Sequence, residues 1–264
     1  MLRPIQTEDH DELSLITMNL PTLDRNLFPA LLQVLEQIET KPKTRIVILT
    51  GRLHVFSAGA ELREVIGLET PVAVDRFTSI PLRIVELLSR WNKVSVAAIN
   101  GHCLGGALEI ALACDLRFCV DSLPGNADGA FLGFPETRLG LVPGIGGNYL
   151  ATRVIGFAHA LELILTSRLI NAEQALRIGL VHRVFAREGF GERSMSEARE
   201  IVSELRTPIC WIRKAVFGST YEEDLAKAQR SEVEIFRESC LRPETKESIR
   251  QALLINRNRF QRAS

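Results

Sequence analysis

Two short runs, Arg45-Ile-Val-Ile-Leu-Thr-Gly51 and Val94-Ser-Val-Ala-Ala-Ile99, constrain what this chain can fold into more than any other feature. Each is apolar almost without interruption, and each stops at Gly or Asn-Gly. A strand with one wet face alternates apolar and polar residues. A nearly continuous apolar run is instead the pattern of a strand covered on both faces, as in parallel sheets flanked by helices. Helical patterns surround both runs. Leu27, Leu31, Val34, Leu35 and Ile38 recur at helical spacing behind Asp24, a candidate N-cap, and Pro42 ends that helix. A helix is predicted from about Pro81 to Arg90, an Ala/Leu-rich one over 105–114, and a further strand over 13–19. Alternating strands and helices at this spacing predict an α/β fold.

Composition narrows the partners. With 264 residues, 46% hydrophobic and 24% charged, the chain matches ordinary globular proteins and can bury a core without staples. Lys plus Arg and Asp plus Glu both number 32, so no global basic field is available to hold nucleic acid. The first ten residues carry acids where a transit peptide would carry arginines, and have no apolar core of a signal peptide. The apolar stretch 104–113 contains Glu109 and is well short of the ~18 residues a membrane span needs. Five cysteines without a C-x-x-C predict buried thiols and a reduced, cytoplasmic setting. Residues 1–190 read as the α/β core and 191–264 as a helical C-terminal region, with the apolar rhythm lapsing over 185–193. A Pro/Gly/Asn-rich insert spans about Leu123 to Ala130.

Three segments place polar groups where chemistry needs them. Phe56-Ser-Ala-Gly-Ala-Glu61 is a loop of small residues that lets a ligand approach backbone N–H groups, or else a tight turn into a helix starting at Ala60. Asn100-Gly-His-Cys-Leu-Gly-Gly-Ala-Leu-Glu-Ile110 runs from strand through glycine turn to a helix whose N-terminal N–H groups are unsatisfied and carry partial positive charge. It is not a dinucleotide fingerprint, because three residues separate Gly101 from the glycine pair; close helix-strand packing is the plainer use of Gly105 and Gly106. Glu109 stands inside that apolar helix, where a lone carboxylate is costly. Phe134-Pro-Glu-Thr-Arg-Leu-Gly140 places Glu136 behind a proline, as a helix-capping acid, a surface charge or a functional group. Two N–H loops and two glutamates together suit an oxyanion hole with an acid/base pair. The histidines are scattered without metal-ligand spacing, and His102 reads as a loop residue packed near these motifs.

Those three segments, with Pro143-Gly-Ile-Gly-Gly147 after them, resemble the successive signatures of the enoyl-CoA hydratase/isomerase, or crotonase, family. The likeness extends from about Leu13 into the C-terminal helices. It implies a spiral of strand-strand-helix units, a helical region that forms trimers or paired trimers, and acyl-thioester substrates carried by coenzyme A without a further cofactor or metal. Carried over by motif position, it implies N–H donors at Ala60 and Gly106, acid/base carboxylates at Glu109 and Glu136, and substrate or coenzyme A contacts at Ala58, Leu62 and Arg63. Both glutamates are present, which within the family points to hydration of 2-enoyl thioesters. A double-bond isomerase, a hydratase of carrier-protein thioesters and a non-catalytic binding homologue are the alternatives. Two departures stand out: 21–26 lacks the usual Asn-Ala-Leu, and Ala252 and Ile255 replace the usual Phe and Lys near the nucleotide.

Overall fold

The computed structural model describes residues 3–121, 129–218 and 220–262; most of the insert, 123–128, lies outside them. A hairpin of β1 (Ile5–His10) and β2 (Leu13–Met18) opens the chain and leads to α1 (Leu27–Glu39). The N-cap position of α1 is Asn26 rather than Asp24; Asp24, two residues before it, still feeds the helix start, its Oδ1 accepting the N–H of Asn26 at 2.9 Å and of Leu27 at 2.8 Å. There follow β3 (Ile46–Gly51), β4 (Val55–Ser57), α2 (Leu62–Ile66), α3 (Pro71–Arg90), β5 (Val94–Ile99), β6 (His102–Leu104), α4 (Gly106–Ala113), β7 (Leu116–Val120) and β8 (Phe131–Gly133). A 3-10 turn (Pro135–Leu139) then leads to α5 (Gly147–Thr166), β9 (Ile170–Asn171), α6 (Ala172–Arg177) and β10 (Arg183–Phe185). Four helices complete the chain: α7 (Phe190–Ser203), α8 (Ile209–Phe217), α9 (Tyr221–Leu241) and α10 (Pro243–Arg262).

Consecutive strands go to different sheets. The larger sheet has the order β1-β2-β3-β5-β7-β10 and the smaller β4-β6-β8-β9, so β3, β5 and β7 pair in parallel in one while β4, β6 and β8 pair in parallel in the other. Each turn of the chain thus lays a strand in each sheet before its helix, the expected spiral. The two apolar runs are central strands, and every residue of β5 is buried.

Three local expectations change. The helix placed from Pro81 begins ten residues earlier, at Pro71, capped by Thr70 Oγ1, which accepts the Ala73 N–H at 3.2 Å. Pro81 is carried inside it and buried; packing against the core outweighs the one lost backbone bond. No helix starts at Ala60. Ala60 forms a bridge with Leu23, and α2 begins at Leu62 behind Glu61, whose side chain accepts the Arg63 N–H. β1 was silent in the sequence because its middle residues are exposed and polar; it is held by its ladder to β2 rather than by burial.

The C-terminal helices pack on their own chain. Ala198, Val202, Tyr221 and Leu225 join the buried cluster that also contains β3 and β5. A second cluster joins Val65, Val74, Leu141, Phe236 and Ile249 from α2, α3, α9, α10 and the segment after the 3-10 turn. Lys246 ties α10 to the end of α2, donating to the carbonyls of Val65, Ile66 and Leu68 at 3.2, 2.9 and 2.6 Å. Of these, Ile66 O ends α2, Val65 O also accepts the Leu68 N–H at 3.2 Å, and Leu68 lies just beyond the helix.

Candidate active site

The site lies where the loop before α2, the start of α4, the 3-10 turn and the start of α5 meet. In the first loop, the Leu23 N–H donates to Gly59 O at 2.8 Å and the Glu61 N–H donates to Leu23 O at 3.2 Å. A parallel bridge of this kind uses the groups flanking Ala60, so the Ala60 N–H faces the other way. Among the described residues it meets no acceptor. Gly106 is the first residue of α4, and its N–H is one of those a helix start leaves unpaired. It too meets no acceptor among the described residues. The loops touch: a carbon added to Gly59 would stand 3.6 Å from Gly106 N.

Two carboxylates converge on the same step. Glu109 is 3% exposed, and its Oε1 accepts the N–H of Ile145 at 2.9 Å and of Gly147 at 2.8 Å. The glycine turn at the start of α5 therefore serves as an anion seat. Gly147 has to be glycine, since a Cβ there would lie 2.6 Å from Glu109 Oε1. Glu109 Oε2 turns the other way and lies 3.8 Å from where a Cβ of Gly106 would be. Glu136 approaches from the 3-10 turn, with Oε1 2.6 Å from where a Cβ of Gly105 would be; Gly105 has φ +55°. Glu136 is neither a cap nor a surface charge: its Oε2 is buried and has no hydrogen-bond partner among the described residues.

Burial raises both acids. It pushes the Glu136 carboxyl up to about 7, against a smaller lowering by its own backbone N–H. Burial also holds Glu109 well above the ordinary carboxylate range, Glu136 and Glu232 add to the rise, and the Ile145 and Gly147 amides oppose it. Two acids this close do not both ionise readily at neutral pH. Of the two, Glu109 has the amide donors that suit a carboxylate, whereas Glu136 has a buried, unpartnered Oε2 among the described residues, which suits a carboxylic acid.

The remaining sequence candidates flank this centre. Ala58 is exposed and donates its N–H to Pro21 O at 2.8 Å; Arg63 is exposed; Leu62 packs against the second cluster. His102 stands on β6 with Nδ1 accepting the Phe131 N–H at 3.3 Å, its ring stacked on Phe131. Among the described residues no group of three or more His, Cys, Asp or Glu could hold a metal. The motifs missed Glu232 and Gln229 of α9, which reach the start of α5. The signal was available: Gln229 and Glu232 lie on the buried stripe of Leu225, Val233 and Phe236, where polar residues are out of place.

Two interleaved sheets, each parallel at its centre with an antiparallel strand at one edge, and with free amides and buried acids gathered at one helix start, define an α/β protein of the crotonase fold. The comparisons agree. The family model described as enoyl-CoA hydratase/isomerase matches residues 8–254. A Rhizobium meliloti protein described as "Probable enoyl-CoA hydratase" is 32% identical over 92% of this chain and 91% of its own. The crystal structure of an enoyl-CoA hydratase from Bacillus anthracis is 31% identical, covers 87% of this chain and 90% of its own, and superposes with a TM-score of 0.74. That of an enoyl-CoA hydratase from Bacillus halodurans, 24% identical, covers 94% of this chain and 99% of its own at a TM-score of 0.85, a likeness of fold. The chain belongs to the enoyl-CoA hydratase/isomerase family.

Proposed function

We propose that the protein is a hydratase that reversibly adds water across the double bond of a 2-enoyl-CoA. One observation carries the reading: two buried acids of unlike surroundings, Glu109 and Glu136, converge on the Gly105-Gly106 step beside two unpaired amides. Adding water to a 2-enoyl thioester builds negative charge on the thioester oxygen. In this reading the Ala60 and Gly106 N–H groups receive it, supported by their lack of acceptors among the described residues and, for the second, by its place at the start of α4. The Glu109 carboxylate takes a proton from the attacking water as its oxygen bonds to C3. The Glu136 carboxylic acid gives its proton to C2. In reverse the two exchange duties; after each forward turnover Glu109 returns its proton to solvent and Glu136 takes one up, so the cycle closes with water as the sole co-substrate.

In this reading the Ala58 carbonyl and the exposed Arg63 contact the coenzyme A portion, and Leu62 borders the acyl chain. The protein assembles as a homotrimer or paired trimers. An exposed apolar row on α5, Phe157, Leu161 and Leu165, and Trp211 and Val216 on α8 support an assembly. The five unpaired cysteines suit a reducing cytoplasm.

The test is crotonyl-CoA in ¹⁸O-labelled water, with 3-enoyl-CoA and a carrier-protein thioester as parallel substrates. Label at C3 with the CoA thioester supports the proposal. Double-bond migration in 3-enoyl-CoA without label uptake identifies an isomerase, turnover only on the carrier protein identifies a different thioester, and binding without turnover identifies a non-catalytic homologue.

A further inference from the structure

Glu232 is a buried acid that the proposed reaction does not use. It lies on α9, more than a hundred residues from Glu109 in sequence, and is 7% exposed. Its Oε2 accepts the Gly146 N–H and its Oε1 the Tyr149 N–H, both at 2.9 Å. One turn earlier on the same face, Gln229 Nε2 donates to Ile145 O at 3.1 Å. The start of α5 is thus gripped from two sides. Ile145 and Gly147 donate to Glu109 on α4, while Gly146 and Tyr149 donate to Glu232 on α9. Ile145 is shared, with its N–H held by Glu109 and its carbonyl by Gln229.

A turn of successive glycines has little intrinsic stiffness, since Gly populates more backbone conformations than any other residue. Gly144, Ile145, Gly146 and Gly147 cannot by themselves hold two amides in a fixed direction. A neutral side chain accepting the same amides would pin the turn; a carboxylate with both oxygens bonded to it also places a negative charge behind the seat of Glu109. A purely structural cap needs only a serine or asparagine; burying a charged acid costs more and has to be offset by its hydrogen bonds.

We propose that Glu232 is a positioning residue for Glu109, holding the α5 turn so that the Ile145 and Gly147 amides aim the Glu109 carboxylate at the attacking water, and placing a second negative charge near it. The proposal rests on the hydration reading. The charged groups facing Glu109 are Glu136 from the 3-10 turn and Glu232 from α9, while α5 presents only amides to it. Glu232, and Glu136 once it ionises, favour the protonated form of Glu109. Removing the Glu232 charge therefore lowers the pH at which Glu109 takes up its proton, and the acid limb of the kcat profile moves to lower pH.

Glu232→Gln and Glu232→Asp are measured beside the wild type for thermal melting, KM, kcat and the pH dependence of kcat on crotonyl-CoA. In Glu232→Gln, kcat falls about 10- to 100-fold with KM within about twofold, the size of effect expected of a misaimed catalytic group. Its acid limb moves down by about half a pH unit or more. Glu232→Asp keeps the charge but withdraws it by one methylene, so kcat falls while the acid limb stays in place; this variant also serves if Glu232→Gln does not fold. A folded Glu232→Gln with wild-type kcat, or with an unmoved acid limb, overturns the proposal, as does a folded Glu232→Asp at full kcat. If the wild type does not hydrate crotonyl-CoA, the hydration reading fails on its own. The Glu109 carboxyl is then titrated by ¹³C NMR in wild type and Glu232→Gln: a titration moved to lower pH retains the coupling of Glu232 to Glu109, and coincident curves overturn it.

Discussion

Glu109 and Glu136 are both glutamates beside one helix start, yet their hydrogen bonding differs, and the difference predicts their behaviour. Glu109→Gln and Glu136→Gln each keep the shape but lose the proton transfer, so hydration falls by about 10²–10⁴-fold while thioester binding, read by calorimetry, holds. Near-normal turnover in both would remove the two-acid mechanism. The Glu136 carboxyl rests at about 7 rather than at its ordinary 4.5, so the folded chain keeps a proton that the unfolded chain releases. The corresponding stability is complete below pH 4.5 and is lost as pH rises through 7. Glu136→Gln abolishes that loss. Thermal melts then show the variant more stable than wild type above pH 7, by on the order of 1–3 kcal/mol, and level with it below pH 4.5. A catalytic acid maintained at a cost to stability behaves this way; a variant destabilised at every pH would mean that Glu136 serves packing instead. The same titration makes wild-type kcat decline on the alkaline side as Glu136 loses its proton.

The unit of function at the next scale is the helix start. α4 contributes an amide and α5 a seat for a carboxylate, each by leaving its first N–H groups unpaired. That makes Gly106→Pro a clean probe. Proline is tolerated at the first helical position because that N–H makes no bond within the helix. The fold survives while one donor disappears, and kcat/KM drops by about 10²–10³-fold, the usual effect of losing one oxyanion-hole donor. A folded variant with ordinary turnover would show that this amide takes no part. Gly147→Ala tests the second helix start. Its Cβ would meet Glu109 Oε1 at 2.6 Å, so the carboxylate must leave its amides, and kcat falls while α5 stays folded by circular dichroism. Both helix starts were legible as glycine-rich turns ahead of apolar helices. That the α5 start would seat the α4 glutamate was not, because no local pattern records a contact between residues 38 positions apart.

For the molecule as a whole, the C-terminal helices are part of the site rather than an outlying cap. α9 brings Glu232 to the α5 turn and Phe236 to the second cluster, and Lys246 of α10 fastens α2 behind Ala60. Removing everything from Tyr221 onward takes away Tyr221 and Leu225 from the main core and the two acceptors that hold Gly146 and Tyr149. The truncated chain loses activity and melts at lower temperature, both measurable on purified protein. Light scattering on the full chain tests the assembly. A trimer or hexamer is expected from the exposed apolar residues of α5 and α8, and an active monomer at micromolar concentration would refute it.

By itself the sequence determined the class of fold, because runs apolar on both faces can be satisfied only between layers. It also determined which residues could do chemistry, since a glutamate in an apolar helix and glycines ahead of helices each break a local rule. Tertiary structure decided what these residues meet. Glu136 could be read as a cap or a surface charge until the 3-10 turn laid it under Gly105, and Ala60 as a helix start until Leu23 paired with its neighbours. Glu232 breaks a local rule as a polar residue on a buried stripe, but what it holds is decided only where α9 crosses the start of α5. The physical reason is the same in each case: hydrophobic periodicity is a property of consecutive residues, whereas an acid's charge state and aim are set by amides, acids and apolar walls brought together from distant parts of the chain.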